Sequence, residues 1–168
     1  FSQGLRSGSG KAYRNGRVVY EGDFAQDAYN GEGMEYRMGS LRYKGGFKDG
    51  LFDGSGTEYY SDGSVRYRGE FAEGKYFGSG LLSLKDGTTI RGEFEDGQTV
   101  GDAVCTRDKT IYYKGLLQNF IPQGAGEFLN SGGKTLFSGA AAAGGCLEGG
   151  RLPVPRRLWR TEEFPAGE

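Results

Sequence analysis

At 168 residues the chain has the length of one ordinary domain. Its 33 glycines, about a fifth of all residues against a typical ~7%, together with its low aliphatic content, exclude a thick hydrophobic core. A formal net charge of −1, with acids and bases interleaved, leaves no basic stripe of the kind that grips nucleic acid, and none is expected as a partner.

Low hydrophobicity by itself reads as disorder. The 11 tyrosines, 11 phenylalanines and regularly spaced glycines argue for a thin, sheet-like object instead. With no histidine and only Cys105 and Cys146, neither in a CxxC pair, no disulfide framework, metal site or cofactor is expected. No signal peptide and no apolar run near ~18 residues occurs in the segment. The two lone cysteines lean the localisation expectation towards the cytoplasm.

The chain opens on "FSQGLRSGSG" (1–10), which aligns with "FKDGLFDGSG" (47–56). Phe1 is then the last letter of a phrase that begins earlier, and the natural protein is expected to extend N-terminally. "GSGK" at 8–11 resembles a phosphate loop, but Ala12 follows Lys11 and the GxxxxGK[ST] spacing is not met.

A phrase then recurs as "YEGDF" (20–24), "YKGGF" (43–47), "YRGEF" (67–71) and "IRGEF" (90–94). Its glycine falls at Gly22, Gly45, Gly69, Gly92, Gly115 and Gly139, in steps of 23 or 24 residues. A second series runs Gly8, Gly31, Gly54, Gly78, Gly101, Gly124. A third runs Gly10, Gly33, Gly56, Gly80, Gly126, with Ala103 standing in once. A fixed period of this length marks a repeat array. Tyr67, Gly69 and Phe71 alternate with Arg66, Arg68 and Glu70, which predicts a strand with an aromatic face and a charged face. Gly22, Gly45, Gly69, Gly92 and Gly115 are read as structural glycines that let neighbouring rings lie over the backbone. After each phrase a turn such as "KDG" or "AEG", then "GSG", leads to a second strand such as Thr57 to Tyr60. Asn15-Gly16, Asp62-Gly63 and Asp86-Gly87 read as hairpin turns with both central residues at positive φ.

Each unit is therefore a hairpin, and successive hairpins extend one antiparallel meander. The expected fold class is all-β: an elongated single-layer solenoid of about a dozen strands, roughly 55–60 Å long at ~4.8 Å per strand. The array is expected over 1–150, its last unit decayed in "AAAGGCLEGG" (141–150), with 151–168 a tail or cap. In that tail Leu158, Trp159 and Phe164 would anchor a short helix that caps the last strand or, as the bolder alternative, lies in the groove.

The repeated "YxGxF…G…GxG…DG" unit, present from about Phe1 to Gly139, resembles the MORN-repeat family. That resemblance implies an elongated antiparallel sheet with a groove. Family members often serve as interaction modules. Some bind an extended peptide or helix along the groove, others self-associate, and others sit at membranes with phospholipid contacts. Ile90 for Tyr, Ala103 for Gly, Lys109 at the Asp-Gly turn and Phe120 for a turn glycine depart from the pattern and make the fifth unit the least regular. The choline-binding hairpin has a similar period but relies on repeated Trp; the one Trp here, Trp159, lies outside the array.

No histidine-based triad is available, and carboxylate pairs such as Glu70 with Glu73 fall on repeated surface positions. The chain is therefore read as non-enzymatic. The candidate partner-binding groove is the aromatic row Tyr20, Phe24, Tyr43, Phe47, Tyr67, Phe71, Phe94 and Tyr113. Its expected occupant is a protein or peptide segment. Two alternatives stand beside it: an oligomerisation or spacer arm, in which a homodimer satisfies the surface, and a membrane module that meets phospholipid headgroups. The interleaved acids offset most of the attraction such a module would need.

Overall fold

A computed structural model describes residues 4–142 and 146–147. Its elements are β1 (Gly8–Arg14), β2 (Arg17–Ala25), β3 (Ala28–Arg37), β4 (Ser40–Lys48), β5 (Leu51–Tyr59), β6 (Val65–Ala72), β7 (Lys75–Ser83), β8 (Thr88–Glu95), β9 (Gln98–Arg107), β10 (Thr110–Gln118), β11 (Ile121–Leu129), β12 (Thr135–Ala142) and the short β13 (Cys146–Leu147). All of them form one antiparallel sheet in sequence order, without a crossover, and no helix occurs among the described residues. The expected all-β meander is the observed fold. The tail 151–168, and with it the expected cap, lies outside the described residues.

The turns show why the meander forms. Asn15 and Gly16 (φ 51° and 75°), Asp49 and Gly50 (50° and 83°), and Glu73 and Gly74 (50° and 81°) all adopt the left-handed region. That is the two-residue turn whose twist matches the flanking strands. Lys109 (φ 65°) and Phe120 (φ 63°) adopt it as well, so the irregular fifth unit keeps its turns despite losing its glycines.

Two expectations on local geometry are corrected. At Asp62-Gly63 and Asp86-Gly87 only the glycine has positive φ. The loop there is longer: the Tyr60 amide donates to the Ser64 carbonyl at 2.9 Å and the Gly63 amide to the Tyr60 carbonyl at 3.0 Å. The Asp62 carboxylate closes it by accepting from the Ser64 amide at 2.9 Å, a common way for Asp to stabilise a turn. The second correction concerns "GSG". It lies inside β5, which starts at Leu51 directly after the turn, instead of preceding a strand at Thr57. Gly54 has φ 79°, a conformation that L side chains rarely adopt, within that strand.

The register lines up the two other glycine series. Gly10 pairs with Gly22, Gly22 with Gly33, Gly33 with Gly45, Gly45 with Gly56, Gly56 with Gly69, Gly69 with Gly80 and Gly80 with Gly92. Gly92 pairs with Ala103, Ala103 with Gly115, Gly115 with Gly126 and Gly126 with Gly139. One stripe of glycines, interrupted by a single alanine, thus crosses twelve strands at right angles to the chain.

Candidate functional site

The core is a row of ring cells built on that stripe. Tyr43 lies flat over Gly45 and Gly56: a Cβ added at Gly45 would sit 2.8 Å from the Tyr43 hydroxyl, and one at Gly56 would sit 2.5 Å from its ring. Phe52 stacks on the other side of Tyr43 with centroids 3.7 Å apart and planes 6° from parallel. Phe47 and Phe71 close the two ends edge-on, at 5.2 and 5.0 Å. Backbone below, a ring above and two ring edges leave Tyr43 with 0% exposure in a sheet only one layer thick. Edge-to-face pairs of this kind add ~0.5–1.5 kcal/mol each beyond the area they bury.

The cell repeats. Tyr20 is enclosed by Tyr29, Phe24 and Phe47, and Tyr67 by Tyr76, Phe71 and Phe94. Each phenol also has an internal acceptor. Tyr20 donates to the Asp23 carbonyl at 2.8 Å, Tyr43 to Gly46 at 3.0 Å, Tyr67 to Glu70 at 3.2 Å and Tyr113 to Leu116 at 2.7 Å. The acceptor is the residue at which the strand register slips between the phrase glycine and the next core side chain. At Asp23, Gly46 and Leu116 the hydroxyl takes up the carbonyl of a residue that the register skips against the following strand, whereas Glu70 stays paired with Phe77. Burial pushes the phenols of Tyr20 and Tyr113 up to about 12, and it raises Tyr43 and Tyr67 in the same direction.

All eight residues of the expected partner row lie in these cells. Tyr20, Tyr43, Tyr67 and Tyr113 are fully buried, and Phe24, Phe47, Phe71 and Phe94 nearly so, the most exposed of the eight at 6%. Their surfaces are taken up by one another, which leaves little for direct contact with a second molecule. The structural glycines Gly22, Gly45, Gly69 and Gly115 sit under the rings as close-approach positions.

Sequence reasoning missed the stacking partners Tyr29, Phe52 and Tyr76, two residues after each turn. They share the 23–24-residue period and were legible in that way. Their backbones also link the units: the turn amides of Gly50, Gly74 and Gly97 donate to the carbonyls of Tyr29, Phe52 and Tyr76 at 2.9, 2.9 and 3.0 Å. Each hairpin turn is thereby tied to the stacking residue of the unit before it.

In the fourth cell the pattern changes as a set. Ile90 replaces the tyrosine, Thr99 the stacking ring and Ala103 the glycine. Ile90 has no ring to lie over the stripe, so the methyl of Ala103 fits, buried at 3%. The Thr99 hydroxyl accepts from the Phe120 amide at 2.8 Å, replacing a packing contact by a hydrogen bond. Beside it Cys105 is buried, its thiol pushed up to about 12 by burial.

Among the described residues one charged side chain is buried in the core, while Arg42, paired with Glu35, lies over the Phe52 ring at its border. Glu58, 8% exposed, accepts from the Tyr76 hydroxyl at 2.5 Å and pairs with Arg66 at 3.7 Å. Among the described residues no group of three potential metal ligands occurs.

The opposite face carries the open surface. Two shallow depressions lie on it, end to end along the stripe. One, of about 470 Å³, spans β5 to β7 beside Ser55, Thr57, Arg68, Glu70 and Ser79. The other, of about 630 Å³, spans β8 to β12 beside Arg91, Asp102, Val104, Lys114 and Glu127. Each is a shallow groove across the strands, floored by glycines of the stripe and rimmed by charged and hydroxyl side chains, with the aromatic cells behind it.

Comparison with protein families gives a match to the model described as MORN repeat, in four tandem copies at residues 1–16, 20–40, 43–65 and 67–89. Comparison with curated proteins gives no match. The matched copies hold every ring of the three tyrosine cells except Phe94, which closes the third.

Proposed function

The chain belongs to the MORN-repeat family, whose repeats serve generally as protein- and membrane-interaction modules and not as enzymes, and from that premise we propose that it is a non-catalytic scaffold that binds a protein segment along the groove of its sheet. The observation that supports this most is the pair of aligned depressions from β5 to β12. Shallow depressions in line, floored by glycines and rimmed by charged side chains, suit a segment laid across the strands. In this reading Tyr20, Phe24, Tyr43, Phe47, Tyr67, Phe71, Phe94 and Tyr113 frame the groove from behind: they hold the strands in register and leave contact to the other face.

The test is affinity capture with the wild-type chain and with a groove variant, Thr57→Lys combined with Val104→Lys, checked for unchanged thermal unfolding. The expected result is a partner retained by the wild type and lost by the folded variant. Retention by both removes the groove from the reading. Light scattering over a wide dilution range separates the alternative: a dimer or polymer that persists on dilution, with no heterologous partner, identifies an oligomerisation arm. Sedimentation with anionic vesicles at low salt identifies a membrane module.

A further inference from the structure

A third hollow, of about 540 Å³, lies on the groove face but off the glycine stripe, against the hairpin turns that carry Asp49, Glu73 and Asp96. Its floor is apolar. Leu51 on β5 and Phe77 on β7 line it at 50% and 46% exposure, with Ala72 of β6 between their strands. The next turn walls Leu51 in: a Cβ added at Gly74 would sit 3.8 Å from the Leu51 Cδ2 methyl. Leu51 pairs with Lys48 and Ala72 with Lys75, one step past the core pairs Phe47–Phe52 and Phe71–Tyr76, so these side chains stand on the face opposite the rings. The repeat supplies an internal control. Four residues after the last aromatic of each phrase stand Ala28, Leu51, Lys75 and Gln98; six residues after it stand Asn30, Asp53, Phe77 and Val100. The same turns and strands form with alanine, lysine or glutamine at the first position and with asparagine or aspartate at the second. The fold therefore does not require Leu51 or Phe77, and two large apolar side chains exposed in one hollow mark a contact surface. The rim is acidic. Among the described lining residues Asp49, Asp53, Glu73 and Glu95 form no ion pair, and of the two bases Lys75 is already held by Asp96 at 3.0 Å.

We propose that this hollow docks a surface loop of a globular protein partner, one that presents two large apolar side chains flanked by arginine or lysine. The site stands apart from the groove and does not rest on the groove reading.

Size, place and charge carry the choice of a loop. The volume falls within the ~300–1,000 Å³ of a pocket that encloses one compact ligand, so the hollow takes a few side chains at the tip of a loop and not a segment laid along the sheet. Leu51 and Ala72 lie five and three residues along their strands from the stripe glycines Gly56 and Gly69, and a segment that follows the stripe passes beside them. Leu51 and Phe77 stand on alternate strands, ~9.6 Å apart at ~4.8 Å per strand, so covering both takes two apolar side chains. Carboxylates without ion-pair partners beside that floor attract cations and repel an anionic lipid surface or a nucleic acid. A second copy of the chain is disfavoured, because a twofold interface through this edge would set the same acids against one another. Arginine or lysine on a loop gains a partner here without first breaking an ion pair of Asp49, Asp53, Glu73 or Glu95.

The test uses the full chain and a labelled, head-to-tail cyclised octapeptide with Arg-Leu-Phe-Arg at its tip, read by fluorescence anisotropy. One control ring carries Glu for both Arg, and another carries Ser for Leu and Phe. The first ring is expected to bind, and both controls to bind about tenfold more weakly or less. Leu51→Gln with Phe77→Asn installs the residues that the array itself carries at Gln98 and Asn30. It is expected to weaken binding about tenfold or more. Glu73→Gln with Glu95→Ala likewise copies Gln26 and Ala25. It is expected to weaken binding several-fold and to flatten its dependence on salt. All four substituted side chains are exposed, and thermal unfolding of both variants stays at the wild-type value. The groove variant Thr57→Lys with Val104→Lys binds the ring as the wild type does. The proposal is overturned if the wild-type chain does not bind the Arg-Leu-Phe-Arg ring, if either control ring binds equally well, or if binding survives both pairs of substitutions at the hollow. Loss of binding in the groove variant alone moves the loop to the groove and overturns the site at the turns.

Discussion

Tyr43 on β4 and Phe52 on β5 lie face to face, 3.7 Å between centroids and 6° from parallel, so that Phe52 is the lid of the Tyr43 cell. Phe52 is itself backed by Phe47 and Phe71. Phe52→Ala opens that cell to water and removes three ring contacts. The expected cost is about 3 kcal/mol, at the lower end of the range for buried Phe→Ala, because the site borders solvent. Equilibrium denaturation in urea checks it through a lowered midpoint. Tyr43→Ser with Tyr67→Ser removes the centre of two cells and is expected to abolish cooperative unfolding of the central strands. A double variant that still unfolds cooperatively shows that the rings are not what holds the array together.

The fourth cell predicts a reciprocal rescue. In a tyrosine cell the ring lies over the stripe position that Ala103 occupies here: a Cβ at Gly33 would sit 2.6 Å from the Tyr20 ring. Ile90→Tyr is therefore expected to destabilise by ~1–3 kcal/mol through overpacking. Ile90→Tyr combined with Ala103→Gly is expected to recover most of that loss, although Ala103→Gly alone destabilises by removing a buried methyl from a strand. A double-mutant cycle by thermal unfolding measures the coupling, which additive effects of the two changes would exclude.

The buried phenols predict loss of stability at alkaline pH. An unfolded tyrosine titrates near 10, while burial raises Tyr20 and Tyr113 to about 12. Above pH 10 the unfolded chain therefore binds fewer protons than the folded one, and stability falls as pH rises from about 10 through about 12. Phenolate absorbance followed with circular dichroism is expected to show these tyrosines ionising together with loss of the sheet. Smooth titration near 10 with the sheet retained contradicts the cells.

Cys105 is buried and its thiol is pushed up to about 12, so almost no thiolate forms at neutral pH and no reagent reaches it. The native chain and its Cys105→Ala variant are expected to react with a thiol reagent at the same rate. In denaturant the native chain is expected to yield one further equivalent. A faster native reaction in the wild type shows that β9 opens.

Tyr29, Phe52 and Tyr76 mark the limit of what the sequence makes legible. Their period is visible, yet nothing local says that each ring folds back onto the tyrosine of the preceding strand. That contact exists because the register pairs Phe24 with Tyr29, Phe47 with Phe52 and Phe71 with Tyr76. The sequence by itself determined the repeat, the hairpins, the strand order and the alternation of an aromatic face with a charged one, because turn chemistry and period-two patterning are local properties. Only the tertiary structure decided which face is spent on packing. The three aromatic walls around each of Tyr20, Tyr43 and Tyr67 come from three strands, and the glycine stripe beneath them crosses twelve. Both arise when the meander sets its register and brings residues about 23 positions apart side by side.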